Sequence, residues 1–344
     1  MAAEIVTDTN PIVSVCIANY NGMELLDDCL RSVREQEGGI PVEILVHDDA
    51  SSDGSAVYIR DQYPDARLIV SESNVGFCVA NNRMAAQARG KYLLLFNNDA
   101  ALFPDALQTL LAEANRHEQR AILSLPQYDA ATGELVDMGS LLDPFLNPVP
   151  NRDPERADVG MVIGACLWIP KSLWEELDGF PPWFGSIAED LYLCCRARLT
   201  GHLVRALPES GYRHWQGKSF GGNRATGNGL STTFRRRALS ERNKSFVMVM
   251  TYPTPLFQAL FPLHLMMLLV EGAAVALLRR DGNLFQNIYW ACLKSVWRER
   301  RRLAELRKEI QAKRSLSLVN WLSVFRPWPH KLTLLVKHGL PNIR

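Results

Sequence analysis

Residues 91–100 read KYLLLFNNDA. The apolar run Leu93 to Phe96 passes without a break into Asn97, Asn98 and Asp99. A segment apolar on both faces suits a central strand of a parallel sheet, which helices cover on both sides. Such a core has no use for two amides and a carboxylate. The polar triplet therefore belongs at the strand's carboxyl end, the edge where open α/β sheets bind ligands.

The pattern repeats outward from this stretch. Strands are expected over 11–19, 42–48, 66–71 and 91–97, and helices over 22–36, 51–63, 77–88 and 104–117, the last with Pro104 at its first turn. This alternation predicts βαβ units: an α/β fold with a mostly parallel sheet flanked by helices. Further on, 159–180 reads as a strand and short helix, 188–201 as a helix ending at Gly201, and 202–209 as a strand. Residues 126–160 read as loops with a hairpin, and 210–229 as a mobile Gly-rich loop.

The chain has 344 residues, room for one large α/β domain and more. Apolar content of 47% and charged content of 22% are ordinary for a folded protein. A net charge of +1 gives no global field to attract nucleic acid, although base gathers at Arg235–Arg237, Arg279–Arg280 and Arg298–Arg302. Seven scattered cysteines without a CxxC spacing predict free, buried thiols and a reducing compartment. The N-terminus lacks a basic segment followed by an apolar one, so no signal peptide is expected and the bulk of the chain is expected in the cytoplasm.

Each of the first four expected strands ends in ligand-capable groups: Asn19, Tyr20 and Asn21; Asp48, Asp49 and Asp53; Asn74 and Gly76; Asn97, Asn98 and Asp99. A dinucleotide or P-loop site would place a Gly-rich signature after the first strand, but only Gly22 lies there. The remaining way to hold a pyrophosphate is a divalent cation, Mg2+ or Mn2+, bridging phosphate and a carboxylate such as Asp99. Plainer readings stand beside these. Asp53 suits a helix cap, Asn74 and Gly76 suit a turn, and Glu189-Asp190 suits a solvated first helical turn.

Over roughly residues 11–246 the chain resembles a family 2 glycosyltransferase of the GT-A fold, near the rhamnosyltransferase-like branch of bacterial surface polysaccharide synthesis. VSVCIANYNG resembles the motif whose Tyr and neighbours pack on the nucleotide base, which implies Tyr20 and Asn21. VHDDASSDGS implies Asp48 as partner of the base imino group, and NVGFCVANNRM places Asn74 and Gly76 at the donor. LLLFNNDA resembles the DXD motif, implying Asp99 as metal anchor with Asn98 shaping the pocket. AEDLYLCCRARLTG implies Asp190 as catalytic base, and HWQGKS implies His214 as a second metal ligand. Asn97, Asp49, Ala18 and Tyr192 depart from the pattern: they stand where relatives carry the first Asp of DXD, an Asn, a Thr and a second acid. The resemblance implies a nucleoside-diphosphate sugar donor, a saccharide or lipid-linked saccharide acceptor, and inversion at the transferred carbon. A catalytically inactive sugar-nucleotide-binding scaffold is the alternative.

Residues 256–278 are apolar enough for a bilayer crossing, yet Pro262, His264 and Glu271 interrupt them. A central acid costs about 2.5–3.5 kcal/mol on insertion scales, and both flanks are basic. One long helix is expected over 283–314, with Phe285, Tyr289, Trp290 and Trp297 leading into arginines, as an interfacial helix on anionic lipid would. The expected organisation is a catalytic domain over 1–250 and a helical extension over 251–344, peripheral or monotopic on the inner face of the cell membrane.

Overall fold

The computed structural model describes residues 10–116, 118–215, 222–226, 229–339 and 342–343. The chain opens with β1 (Val13–Asn19), α1 (Met23–Arg34), β2 (Val42–Asp48), α2 (Ser55–Gln62), β3 (Arg67–Val70), α3 (Phe77–Gln87) and β4 (Tyr92–Asn97). Then come β5 (Ala100–Leu102), α4 (Ala106–Arg116), β6 (Ala121–Ser124), β7 (Gln127–Asp129), β8 (Leu135–Asp137), β9 (Ser140–Leu142), β10 (Pro148–Pro150) and β11 (Cys166–Pro170). The rest of this region comprises α5 (Lys171–Glu176), α6 (Glu189–Leu199), β12 (Leu203–Ala206), β13 (Tyr212–His214), β14 (Gly222–Thr226) and β15 (Gly229–Thr232). Two long helices follow, α7 (Phe234–Thr251) and α8 (Thr254–Arg279).

Seven strands form the main sheet in the order β12-β6-β11-β4-β1-β2-β3. β11 runs antiparallel to β4 and β6, and the other pairs are parallel. Tyr92 to Phe96 of β4 are buried on both faces, as a central strand requires. The register sets Asn19 beside Asp48 and Ala18 beside Asn97, so three carboxyl ends lie in one row. Leu26, Cys29, Leu30 and Val33 form the buried stripe of α1 at helical spacing.

A smaller sheet, β5-β13-β7-β8, leaves the main sheet directly after Asp99. Its antiparallel pairing places His214 opposite Ala100. Two residues distant in sequence thus become neighbours through backbone pairing.

Several expectations change. α2 begins at Ser55, because Ala50 (φ 63°) and Gly54 (φ 89°) hold the preceding residues in a left-handed turn. Asp53 takes the capping role: Oδ1 accepts from Ser55 N at 3.0 Å and Oδ2 from Met23 N at 2.9 Å, serving the first residues of two helices. The single helix expected over 283–314 is broken into Gly282–Leu284, a π-helical turn Phe285–Trp290, Ala291–Arg298 and Arg300–Ala312. The wide turn buries Ile288 and Tyr289 together, with Tyr289 so close to α8 that a Cβ on Gly272 would lie 2.6 Å from its ring. Within 210–229, Tyr212–His214 and Gly222–Thr226 are strands, with β14 and β15 forming a hairpin extended by Asn342–Ile343. Residues 216–221 and 227–228, with most of the HWQGKS match, lie outside the described residues, as do 1–9, on which the signal-peptide reading rests.

One apolar cluster runs from Cys16 and Leu93 through Leu193 to Phe246, Leu303, Ile310 and Trp321. The C-terminal helices therefore pack on the α/β domain through shared core. α8 is the one described helix long and apolar enough to cross a membrane, with 22% of its most apolar window buried. Pro262 lies within it. All seven cysteines are free and buried.

Candidate active site

The carboxyl ends of β1, β2 and β4 are joined by one amide. Asn19, almost fully buried, donates from Nδ2 to Asp48 Oδ2 at 2.9 Å and accepts at Oδ1 from Asn98 Nδ2 at 2.7 Å. Asp48 also accepts from Ser51 N at 3.0 Å, so its carboxylate faces the strand-end network and the cleft wall there is Asp49. Asp49 clamps the next loop, accepting from Val75 N at 2.7 Å and Gly76 N at 2.9 Å. Asn21 is left-handed (φ 50°), donates its N–H to Ser51 Oγ and accepts from Ser52 N. Gly22 is required here, since a Cβ would lie 2.0 Å from Asn98 Nδ2.

Tyr20, half-exposed, borders the cleft with Asn74, Gly76, Asn97, Asn98 and Asp99. Gly76 adopts φ 85°, and the loop it shapes packs on Gly185, whose carbonyl accepts from Cys78 N at 3.1 Å. Asn97 turns its side chain to the cleft while its carbonyl accepts from Cys29 Sγ.

Asp99 is buried, with Oδ1 3.0 Å from His214 Nε2. On the other side of the ring, His214 Nδ1 lies 3.3 Å from Gln127 Oε1, which also accepts from Tyr212 OH at 2.9 Å. Nδ1 donating to this amide oxygen leaves Nε2 as the nitrogen able to ligate a metal. Among the described residues no group of three or more His, Cys, Asp or Glu converges on a metal position. A carboxylate and an imidazole at adjoining strand ends do fit a hard cation whose other ligands are phosphate oxygens and water.

Glu189 and Asp190 open α6 and border the same cleft. Asp190 accepts from Leu191 N at 2.7 Å and Gly164 N at 3.2 Å. Burial raises its pKa, opposed by those N–H groups and the nearby Arg236 guanidinium. Glu189 is pushed up to about 8, mainly by burial and then by the charge of Asp190. Just before the pair, Ile187 (φ 71°) and Ala188 (φ 67°) are both left-handed, a costly state for a β-branched residue. Asn243 of α7, wholly buried, holds this turn by donating from Nδ2 to Ser186 O at 2.9 Å and Ile187 O at 2.7 Å.

The structure thus brings Tyr20, Asn74, Gly76, Asn98, Asp99, Asp190 and His214 to one cleft of about 1950 Å³. Asp48 and Asn21 stand behind it, holding its wall. Tyr192 faces the core, where Arg196 donates to its hydroxyl at 3.1 Å. Sequence reading did not single out Asn19, Gln127 or Asn243 as positioning groups. The nearest signal for Asn19 was its place at a strand end; the other two join the site through contacts distant in sequence.

A mostly parallel sheet with this polar edge, a single antiparallel strand and a helix-opening acid pair has the architecture of a GT-A fold. Residues 14–177 match the family model of glycosyl transferase family 2. An N-acetylglucosaminyl-diphospho-decaprenol L-rhamnosyltransferase of Mycobacterium tuberculosis is 24% identical over 246 residues, 62% of this chain and 78% of that protein. Other curated relatives are matched over 16% to 63% of their own length. Among solved structures, S. aureus TarS 1–349 in complex with UDP has a TM-score of 0.54 at 16% identity, covering 91% of this chain and 89% of that one. The mannosyltransferase PcManGT of Pyrobaculum calidifontis, in complex with GDP-Man and Mn2+, has a TM-score of 0.53 at 18% identity, covering 85% and 89%.

Proposed function

We propose that this chain transfers a sugar from a nucleoside-diphosphate sugar to a hydroxyl of a saccharide acceptor, with inversion, in bacterial cell-surface polysaccharide synthesis. The observation that carries the reading is the meeting of Asp99, His214 and Asp190 on one cleft, with the strand ends tied by Asn19. The donor's base lies towards Tyr20 and Asp49, on the wall that Asn21 and Asp48 hold from behind, and its diphosphate towards Asn74, Gly76, Asn98 and Asp99. Asp99 and His214 would hold a divalent cation, Mg2+ or Mn2+, which offsets the charge of the leaving diphosphate.

Asp190 acts as the base. It takes the proton of the acceptor hydroxyl as that oxygen bonds to the anomeric carbon. The bond from that carbon to the diphosphate breaks, and the nucleoside diphosphate leaves. Glu189 is held neutral beside it, so the anionic charge of the pair concentrates on Asp190. The acceptor is lipid-linked, a reading supported by the name of the mycobacterial relative. The exposed apolar face of α8, with Trp290, Trp297 and Trp328, seats the chain on the cytoplasmic face of the membrane, and 251–344 is the unit that does so.

A panel of nucleotide sugars titrated with and without Mn2+ tests the donor site. At least one is expected to bind in a metal-dependent way, and Asp99→Ala is expected to weaken that binding by about tenfold or more. Equal affinity with and without metal, or an unchanged Asp99→Ala titration, removes the cation from the account.

A further inference from the structure

The cleft is too large for a sugar nucleotide alone, since pockets for small ligands fill about 300–1,000 Å³ and this one holds about 1950 Å³. Its far wall is α7, α8 and the helix His330–His338. Along that wall the chemistry changes in a fixed order. Next to Asp190 comes Arg236, whose guanidinium feels the charges of Glu189 and Asp190. No carboxylate lies within ion-pair distance of it among the described residues.

One residue further on, Arg237 is ion-paired with Glu241 (3.1 Å) and with Glu271 of α8. Lys331 reaches the same two acids, at 2.6 and 2.8 Å. This network neutralises Glu271 and fixes α8 and the His330–His338 helix against α7. Beyond it the lining turns apolar and opens to the surface: Met266, Val270 and Leu335 line the cleft while 54%, 64% and 42% exposed. A water-soluble saccharide has no use for that exit.

We infer that the acceptor half of the cleft is an amphiphile site: Arg236 holds the phosphate or diphosphate linker of a lipid-linked saccharide, and its hydrocarbon chain leaves along Met266, Val270 and Leu335. The inference rests on the transferase reading, which assigns Asp190 to the acceptor hydroxyl, and adds the place of the linker and the route of the tail. Charge complementarity selects the occupant. Arg236, partly buried and without an ion-pair partner among the described residues, lies between the base and the apolar exit, where a linker separating sugar from lipid would fall.

The test uses the full chain in detergent with EDTA, so that no metal at Asp99 can recruit the probe. Farnesyl diphosphate is titrated, with farnesol and inorganic diphosphate as separate arms, reading tryptophan fluorescence because Trp183 lines the cleft. Farnesyl diphosphate is expected to bind about tenfold or more tightly than either arm, and Arg236→Gln and Val270→Asp are each expected to weaken it by about tenfold. Thermal melting confirms folding; Val270 is exposed, so its variant keeps the test open if Arg236→Gln does not fold. Binding matched by inorganic diphosphate removes the apolar route, and binding matched by farnesol removes the anion subsite. Binding unchanged in both variants, or displaced equally by phosphatidylglycerol vesicles, overturns the site as a whole. Nucleotide-sugar turnover by the wild type is measured separately. If turnover is present and farnesyl diphosphate fails, only the subsite falls; if turnover is absent, the transferase reading falls.

Discussion

Glu189 and Asp190 are neighbouring carboxyl groups in one buried turn, and burial makes two adjacent negative charges there costly. The pair resolves this by keeping Glu189 protonated up to about pH 8 while Asp190 gains two backbone N–H donors and the field of Arg236. The sign for stability follows. A carboxyl group whose folded pKa is raised binds a proton more readily in the folded chain than in the unfolded one. Its contribution is fully present below the unfolded value near 4.5 and is lost as pH rises through about 8. The melting temperature of the wild type is expected to fall between pH 5 and 8.5 more steeply than that of Glu189→Gln, by roughly several degrees over the window. Parallel melting curves for the two proteins contradict a protonated Glu189. Asp99 and Asp190 were legible in the sequence as acids at a strand end and a helix start. Their partners were not: Gln127 and Arg236 carry no local signal, because what matters is the imidazole or carboxylate they meet after folding. Asp49 was legible as a polar strand end and as a departure from a pattern, and its task, clamping Val75 and Gly76, depends on a loop 26 residues away.

At the scale of elements, the turn Ile187–Ala188 is held in a strained state by one side chain of α7. Asn243 reaches across to its carbonyls, so the helix that begins the C-terminal third also positions the acid pair. Asn243→Ala is expected to cost about 1–3 kcal/mol, since buried carbonyls lose their donor. It is also expected to lower kcat more than it raises the KM for the donor, whose site lies at the other strand ends. A variant with reduced stability but unchanged kcat makes Asn243 a structural residue alone. The long, two-sided apolar strands were readable because their burial is written in every residue. β7 to β10 were not: each is three residues long, too short for alternation to show. The helix expected over 283–314 carried an unbroken helical pattern. Its π-helical turn answers to Tyr289 packing on Gly272, a contact between separate elements that periodicity does not encode.

At the scale of the molecule, the main sheet and the C-terminal helices share one apolar cluster, so the C-terminal helices are packed as one body with the sheet that carries the cleft. Glu271, which read as an obstacle to a bilayer crossing, is satisfied by Arg237 and Lys331. Most of the exposed large apolar side chains, including Leu277, Leu278, Trp297 and Trp328, lie in the C-terminal third, with Tyr20, Val57 and Val70 the exceptions among the described residues. Flotation with vesicles containing phosphatidylglycerol is expected to carry the protein, and replacing Trp297 and Trp328 together by Ala is expected to reduce the bound fraction several-fold. Equal flotation of wild type and double variant would place the membrane contact elsewhere. The central claim, however, is that Asp190 is the base of a transferase whose donor site is built separately. The most direct test is the Asp190→Asn variant, assayed for nucleotide-sugar binding and for turnover with the donor that the wild type uses. The account predicts a dissociation constant within about threefold of wild type and turnover lowered by about 10²-fold or more. Near-full turnover in that variant would contradict it.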